Sequence, residues 1–215
     1  MKIIALNWKD TQTQESAQNL LKTTEDVSNI YPDYEWIVFP GDEFLPTLTT
    51  RLPLGTQNML SENTLPYCLI GHMSQRLAGK TDEAIRWEIE TVKQASTIPF
   101  LCVGPLHEED TLGSVLTEQL TVLENWPRER EIIIAYEPGF AVGTGKTMTL
   151  EDIEIVMDIL MKALETFENK RIIYGGSVND TNIAQILTIT DGVLIGTASQ
   201  KSSSLLALSI ALWQE

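Results

Sequence analysis

Basic residues, cysteines, histidines and long apolar runs are all scarce in this 215-residue chain, and each shortage excludes something. Lysine and arginine number 15 against 30 aspartates and glutamates, a formal charge of −15. Such a field repels polyanions, so nucleic acid and anionic membrane surfaces are excluded as partners. An anionic small molecule must then be captured by a local cation or a helix amino terminus. Cys68 and Cys102 are the two cysteines, and two histidines accompany them. No Cys/His cluster has metal-ligand spacing, so no metal site is expected. Both cysteines sit in apolar runs and read as buried thiols of a reducing compartment, with a Cys68–Cys102 disulfide as the alternative. No apolar stretch reaches the roughly 20 residues that span a bilayer. The opening M-K-I-I-A-L-N-W-K-D is too short a run for a signal peptide and is broken by Asn7 and Lys9. A cytoplasmic protein is expected.

What remains is a regular alternation. Short apolar runs occur at Ile3–Leu6, Trp36–Phe39, Cys68–Ile70, Phe100–Val103, Ile132–Ala135, Ile172–Tyr174 and Val193–Ile195, with a weaker one near Leu54–Met59. Helical periodicity fills the gaps at Thr11–Asn29, Thr81–Ala95, Leu112–Leu123, Leu150–Phe167, Thr181–Leu187 and Leu205–Trp213. Continuous apolar runs between helices mark buried parallel strands. About eight of them fit a closed (β/α)8 barrel better than an open doubly wound sheet, because no G-x-G-x-x-G follows an early strand. No linker or low-complexity tract interrupts the pattern, so residues 1–215 read as a single domain. One crossover is too short: Met59–Ile70 must hold both a connection and a strand, whereas a full crossover takes at least about 10–12 residues. The third helix is therefore expected to be missing or reduced.

In such barrels the reacting groups sit at the carboxyl ends of the strands. The run Ile132–Ala135 ends at one carboxylate, Glu137, followed by Pro138 and the loop G-F-A-V-G-T-G-K-T. Proline at one end and Gly143 and Gly145 at the other suit a lid that moves on two hinges. G-T-G-K-T is not a nucleotide P-loop, since five residues rather than four separate Gly139 from Gly145. The first strand ends in Asn7-Trp8-Lys9; Lys9 either meets an anion or snorkels at the surface. The fourth ends in Gly71-His72, where a structural histidine is the plainer alternative. The last two end in Y-G-G-S and G-T-A-S, whose backbone amides suit a phosphate, with Asn179 and Asp180 placed to start the helix between them.

Taken together, N-W-K, G-H, Y-E-P with its lid, Y-G-G-S-V and D-G-V-L-I-G-T-A-S resemble the triosephosphate isomerase family, in order and spacing, over nearly the whole chain. Q-N at Gln57-Asn58, T-D-E-A at Thr81–Ala84 and L-C-V-G at Leu101–Gly104 agree with it too. The resemblance implies a TIM barrel that interconverts dihydroxyacetone phosphate and D-glyceraldehyde 3-phosphate without a cofactor. It implies that Glu137 is the base, that a neutral His72 polarises the substrate oxygens, and that Lys9 stabilises the enediolate with help from Asn7. Main-chain amides of Gly143, Ser177, Gly196 and Thr197 would hold the phosphate. The alternatives are an isomerase of another small phosphorylated aldose/ketose pair, or a phosphate-binding barrel with little turnover.

Several residues depart from the family pattern. Met73-Ser74-Gln75-Arg76 replaces Ser-Glu-x-Arg, so the glutamate that pairs with the lysine is absent, and Ser74 is expected to hydrogen-bond Lys9 in its place. Pro105 stands for a glutamate, Gly139-Phe140 for a bulkier residue and tryptophan, and Thr197 for a second glycine. The short third connection removes the loop through which the family's subunits join, so the family homodimer is not expected and a monomer or an altered dimer is.

Overall fold

The computed structural model describes residues 1–9, 13–59, 65–141 and 145–213. Eight strands form one sheet: β1 (Lys2–Asn7), β2 (Tyr34–Phe39), β3 (Gly55–Thr56), β4 (Tyr67–Ile70), β5 (Ile98–Val103), β6 (Ile132–Tyr136), β7 (Lys170–Tyr174) and β8 (Gly192–Ile195). Their order is β2-β1-β8-β7-β6-β5-β4-β3, and every pairing is parallel. The ends meet through a single parallel bridge, Val38 to Leu54, where the Val38 amide donates to the Pro53 carbonyl at 3.0 Å. The chain is thus a (β/α)8 barrel closed by its narrowest seam at β2 and β3. Among the described residues no helix lies between β3 and β4; the expected short third connection includes residues 60–64, which lie outside them.

Helices α1 (Gln14–Ile30), α3 (Asp82–Gln94), α4 (Leu112–Leu120), α5 (Leu150–Ala163), α6 (Ile183–Ile189) and α7 (Ser202–Leu212) occupy the crossovers, and a short α2 (Met73–Leu77) follows β4. Local chemistry sets several starts. Thr13 and Ser16 form a reciprocal capping box at α1. Thr81 caps α3 and Thr149 caps α5 by accepting from the amides of Ala84 and Asp152. Acidic pairs Asp82-Glu83 and Glu151-Asp152 stand in those first turns, where the helix dipole favours them. Asn179 does not start the next helix as expected. Its side chain accepts from Thr181 in a turn, and α6 begins later, after Asn182.

Strand parity decides what faces where. One set of alternate residues, including Ile4, Leu6, Val38, Ile70, Leu101, Val103, Ile134 and Ile172, packs under the helices. The other set, Ile3, Ala5, Ile37, Phe39, Tyr67, Leu69, Phe100, Cys102, Ile133, Ala135, Ile173 and Leu194, fills the barrel interior. Phe100 anchors that interior, with Phe39 edge-on at 5.0 Å and Tyr67 edge-on at 5.5 Å between ring centroids. At the amino-terminal mouth Arg171 pairs with Glu35 and Glu131, and the Tyr67 hydroxyl donates to Glu35 at 2.7 Å. Cys68 and Cys102 are buried free thiols, so the disulfide alternative is not taken; burial pushes the Cys68 thiol up to about 12. No helix among the described residues is long and apolar enough to cross a membrane.

Candidate active site

The inward parity of the strands runs straight into the site. Ile3 and Ala5 are followed two residues on by Asn7, and Ile133 and Ala135 by Glu137, each where its strand leaves the barrel. Gly175 and Gly196 continue β7 and β8 in the same way. The result is a cleft of about 470 Å³ at the carboxyl ends of the strands, lined by Asn7, Lys9, His72, Glu137, Ser177, Gly196 and Thr197. Seven of the eight residues singled out from the sequence are thus brought together. The eighth, Gly143, lies outside the described residues.

Asn7, His72 and Glu137 are at most 5% exposed. The Glu137 carboxylate accepts from the Met73 amide at 2.9 Å, and its other oxygen lies 3.2 Å from His72 Nε2. The Ser74 amide can only donate, so His72 Nδ1, 3.2 Å away, is the acceptor. The Nε2 edge of the ring is then the donor that faces Glu137 and the cleft. Burial pushes the Glu137 carboxyl up, but the His72 ring, the Met73 amide and the Cys102 thiol outweigh it and hold the group below the usual carboxylate range. Close packing fixes the stem of this side chain: a Cβ on Gly175 would lie 2.8 Å from Glu137 Cγ.

Lys9 lines the same cleft. A Cβ on Gly196 would lie 3.8 Å from Lys9 Nζ, which sets the ammonium beside the glycine-rich turn after β8. Lys9 adopts φ 55, the left-handed region that a side chain of this kind rarely occupies. Strain of this sort persists only where the surroundings impose it, and it collects at functional sites. Snorkelling is therefore not its arrangement.

One expectation is corrected here. Ser74 does not reach Lys9; its hydroxyl lies 2.7 Å from His72 Nδ1, because α2 begins at Met73 and turns the serine back over the imidazole. Gly139 is set by close packing at the start of the loop after β6. A Cβ there would stand 2.7 Å from the Leu106 carbonyl oxygen, and the Gly139 amide donates to the Pro105 carbonyl at 2.8 Å. The glycine is what lets the start of the lid lie against the loop after β5. The sequence reading gave no role in the site to two further residues. Gln57, only 8% exposed, donates to Asn7 Oδ1 at 2.7 Å, and Lys201 adds a second ammonium-bearing side chain to the cleft wall. Gln57 carries a detectable signal, since a buried glutamine at a strand end needs polar partners. Lys201 in A-S-Q-K carries none that separates it from a surface lysine. Among the described residues no group of three or more His, Cys, Asp or Glu is placed to hold a metal ion.

Comparison with known proteins points the same way. The sequence model of the family described as triosephosphate isomerase matches residues 56–212. The triosephosphate isomerase of Francisella philomiragia is 32% identical, over 94% of this chain and 93% of that protein. That of Dictyoglomus thermophilum is 33% identical, over 94% and 96% respectively. That of Thermus thermophilus is 36% identical over a shorter stretch, 70% of this chain and 66% of that protein. With the barrel, the cleft and these similarities in agreement, the chain belongs to the triosephosphate isomerase family.

Proposed function

We propose that this protein interconverts dihydroxyacetone phosphate and D-glyceraldehyde 3-phosphate by proton transfer through an enediolate. The observation that carries the reading is the meeting of Glu137, His72 and Lys9 in one cleft beside two glycine-rich turns. Glu137 takes the proton from the carbon next to the carbonyl; that C–H bonding pair becomes the carbon–carbon double bond, and the carbonyl oxygen takes up the negative charge. The Lys9 ammonium and the His72 Nε2–H stabilise that oxyanion, with Asn7 beside them. In a site shielded from water such donors act far more strongly than they do in solution. The remaining hydroxyl proton passes to the former carbonyl oxygen, Glu137 returns its proton to the neighbouring carbon as the new carbonyl forms on the other, and no atom is gained or lost. The phosphate is held by the amides of Ser177, Gly196 and Thr197 and, from the lid, Gly143.

In the structure Glu137 is held ionised by the Met73 amide and His72. Leaving those donors for the substrate, in a site emptied of water, makes the carboxylate a stronger base. The short third connection supports a monomer or an altered dimer as the working form.

A coupled assay of the purified protein with each triose phosphate tests the reading. The wild type is expected to turn over both substrates, and Glu137→Gln to lose about 10²–10⁴-fold in kcat, the range of general base catalysis. Tight phosphoglycolate binding with negligible wild-type turnover would instead make this a phosphate-binding barrel. Turnover of a different phosphorylated aldose alone would reassign the substrate.

A further inference from the structure

We propose that Gln57 is a positioning residue for the isomerisation, fixing the Asn7 side chain so that its N–H rather than its oxygen faces the bound triose. The proposal rests on the isomerase reading above and adds to it a residue that makes no contact with the cleft.

The orientation of both amides follows from partners that have only one role. The Lys9 backbone N–H can only donate, and it lies 3.2 Å from Asn7 Oδ1. The Phe39 carbonyl can only accept, and it lies 2.8 Å from Gln57 Nε2. The nitrogen of Gln57 therefore faces Asn7, and the oxygen of Asn7 faces Gln57, at 2.7 Å. Both protons of Gln57 Nε2 are used, and Asn7 Oδ1 accepts twice. This leaves Asn7 Nδ2 buried with no hydrogen-bond partner among the described residues, on a side chain that lines the cleft. A buried donor without a partner costs about 1–3 kcal/mol, which a substrate oxygen accepting from it recovers.

Gln57 is itself held at the end of β3, where the third connection is short. Its amide donates to Asp42 at 2.7 Å, and its carbonyl accepts from Gln75 at 3.3 Å. Gln75 in turn accepts from Lys80, which pairs with the buried Glu88. The brace behind Asn7 thus runs from β3 through α2 to α3 within one chain.

Two variants test it. Gln57→Met keeps the size and removes the donors. It is expected to lower kcat/KM about tenfold, the equivalent of one hydrogen bond of about 1.4 kcal/mol, at every pH. Gln57→Glu turns a carboxylate toward two acceptors, Asn7 Oδ1 and the Phe39 carbonyl. Ionised, it favours a flipped Asn7; protonated, it donates again. Its kcat/KM relative to wild type is therefore expected to be lowest at pH 9 and to climb at least fivefold by pH 6, a profile that a loss of stability alone does not produce. Assays run well below each variant's melting temperature, and Gln57→Met carries the test if Gln57→Glu does not fold. Variants within twofold of wild type overturn the proposal, as does a Gln57→Glu ratio that is flat with pH. If the wild type has no turnover, the isomerase reading fails by itself. Phosphoglycolate affinity then replaces kcat/KM in the same comparison, with the same pH-dependent ratio expected for Gln57→Glu.

Discussion

Glu137 is a buried carboxylate whose ionised form is stabilised by named donors, and this makes a claim about pH. Its folded-state pKa is depressed below that of the unfolded chain. The stability it contributes is therefore fully present above the unfolded value of about 4.3 and is lost as pH falls through the lower folded value. In Glu137→Gln that dependence is gone. Melting curves from pH 6 down to pH 3 should show wild type losing stability relative to the variant; a gap that stays constant would contradict the assigned direction. Lys9 illustrates what a sequence hides at this scale. N-W-K marks the residue, but its left-handed backbone and its place beside Gly196 arise from how β1 and β8 lie side by side. Ser74 is similar: the sequence suggested Lys9 as its partner, and the turn into α2 sets it against His72.

At the level of elements, the long apolar runs were the legible part. Seven of the strands were visible because a strand buried on both faces is continuously apolar. The two-residue β3 and the five-residue α2 fall below any period that can be counted, so the former was only hinted at and the latter missed. Strand parity carries further than strand identity, since it points Asn7 and Glu137 inward at the same end of the barrel. The turn after β7 uses that alignment. Adding a methyl group at Gly175 places it 2.8 Å from Glu137 Cγ, so Gly175→Ala must displace the carboxylate. A misplacement of about 1 Å costs on the order of 10²-fold in rate. Gly175→Ala should therefore lose at least about tenfold in kcat while keeping its circular dichroism spectrum; unchanged kcat would show that the base tolerates the shift. The lid is legible only in outline. Proline and glycines announce it, but the fit of Gly139 against Pro105 and Leu106 needed coordinates, and residues 142–144 lie outside those described.

The whole molecule divides its labour between two ends. The amino-terminal mouth is bridged by the ion pairs of Arg171 with Glu35 and Glu131 and by the Tyr67 hydroxyl on Glu35, while at the carboxyl-terminal mouth Asn7 Nδ2 has no hydrogen-bond partner among the described residues. The cleft lies at the carboxyl-terminal end, where barrel enzymes of this kind place their reacting groups. Two lysines in the cleft wall, Lys9 and Lys201, supply local positive charge against a chain of net charge −15. That contrast favours a small anion over a polyanion. The short third connection is the ground for expecting a monomer or an altered dimer rather than the family homodimer. Sedimentation velocity at micromolar concentration should show a single-chain species with full activity; a tight dimer whose dissociation abolishes turnover would contradict this.

The central claim is that Glu137 itself carries a proton between two carbons of a triose phosphate. Isomerisation of glyceraldehyde 3-phosphate in D2O, read by proton NMR of the product, tests it most directly. The account predicts dihydroxyacetone phosphate bearing deuterium on the carbon that received the proton, formed by wild type and not by Glu137→Gln. Label incorporated at the same rate by Glu137→Gln would contradict it.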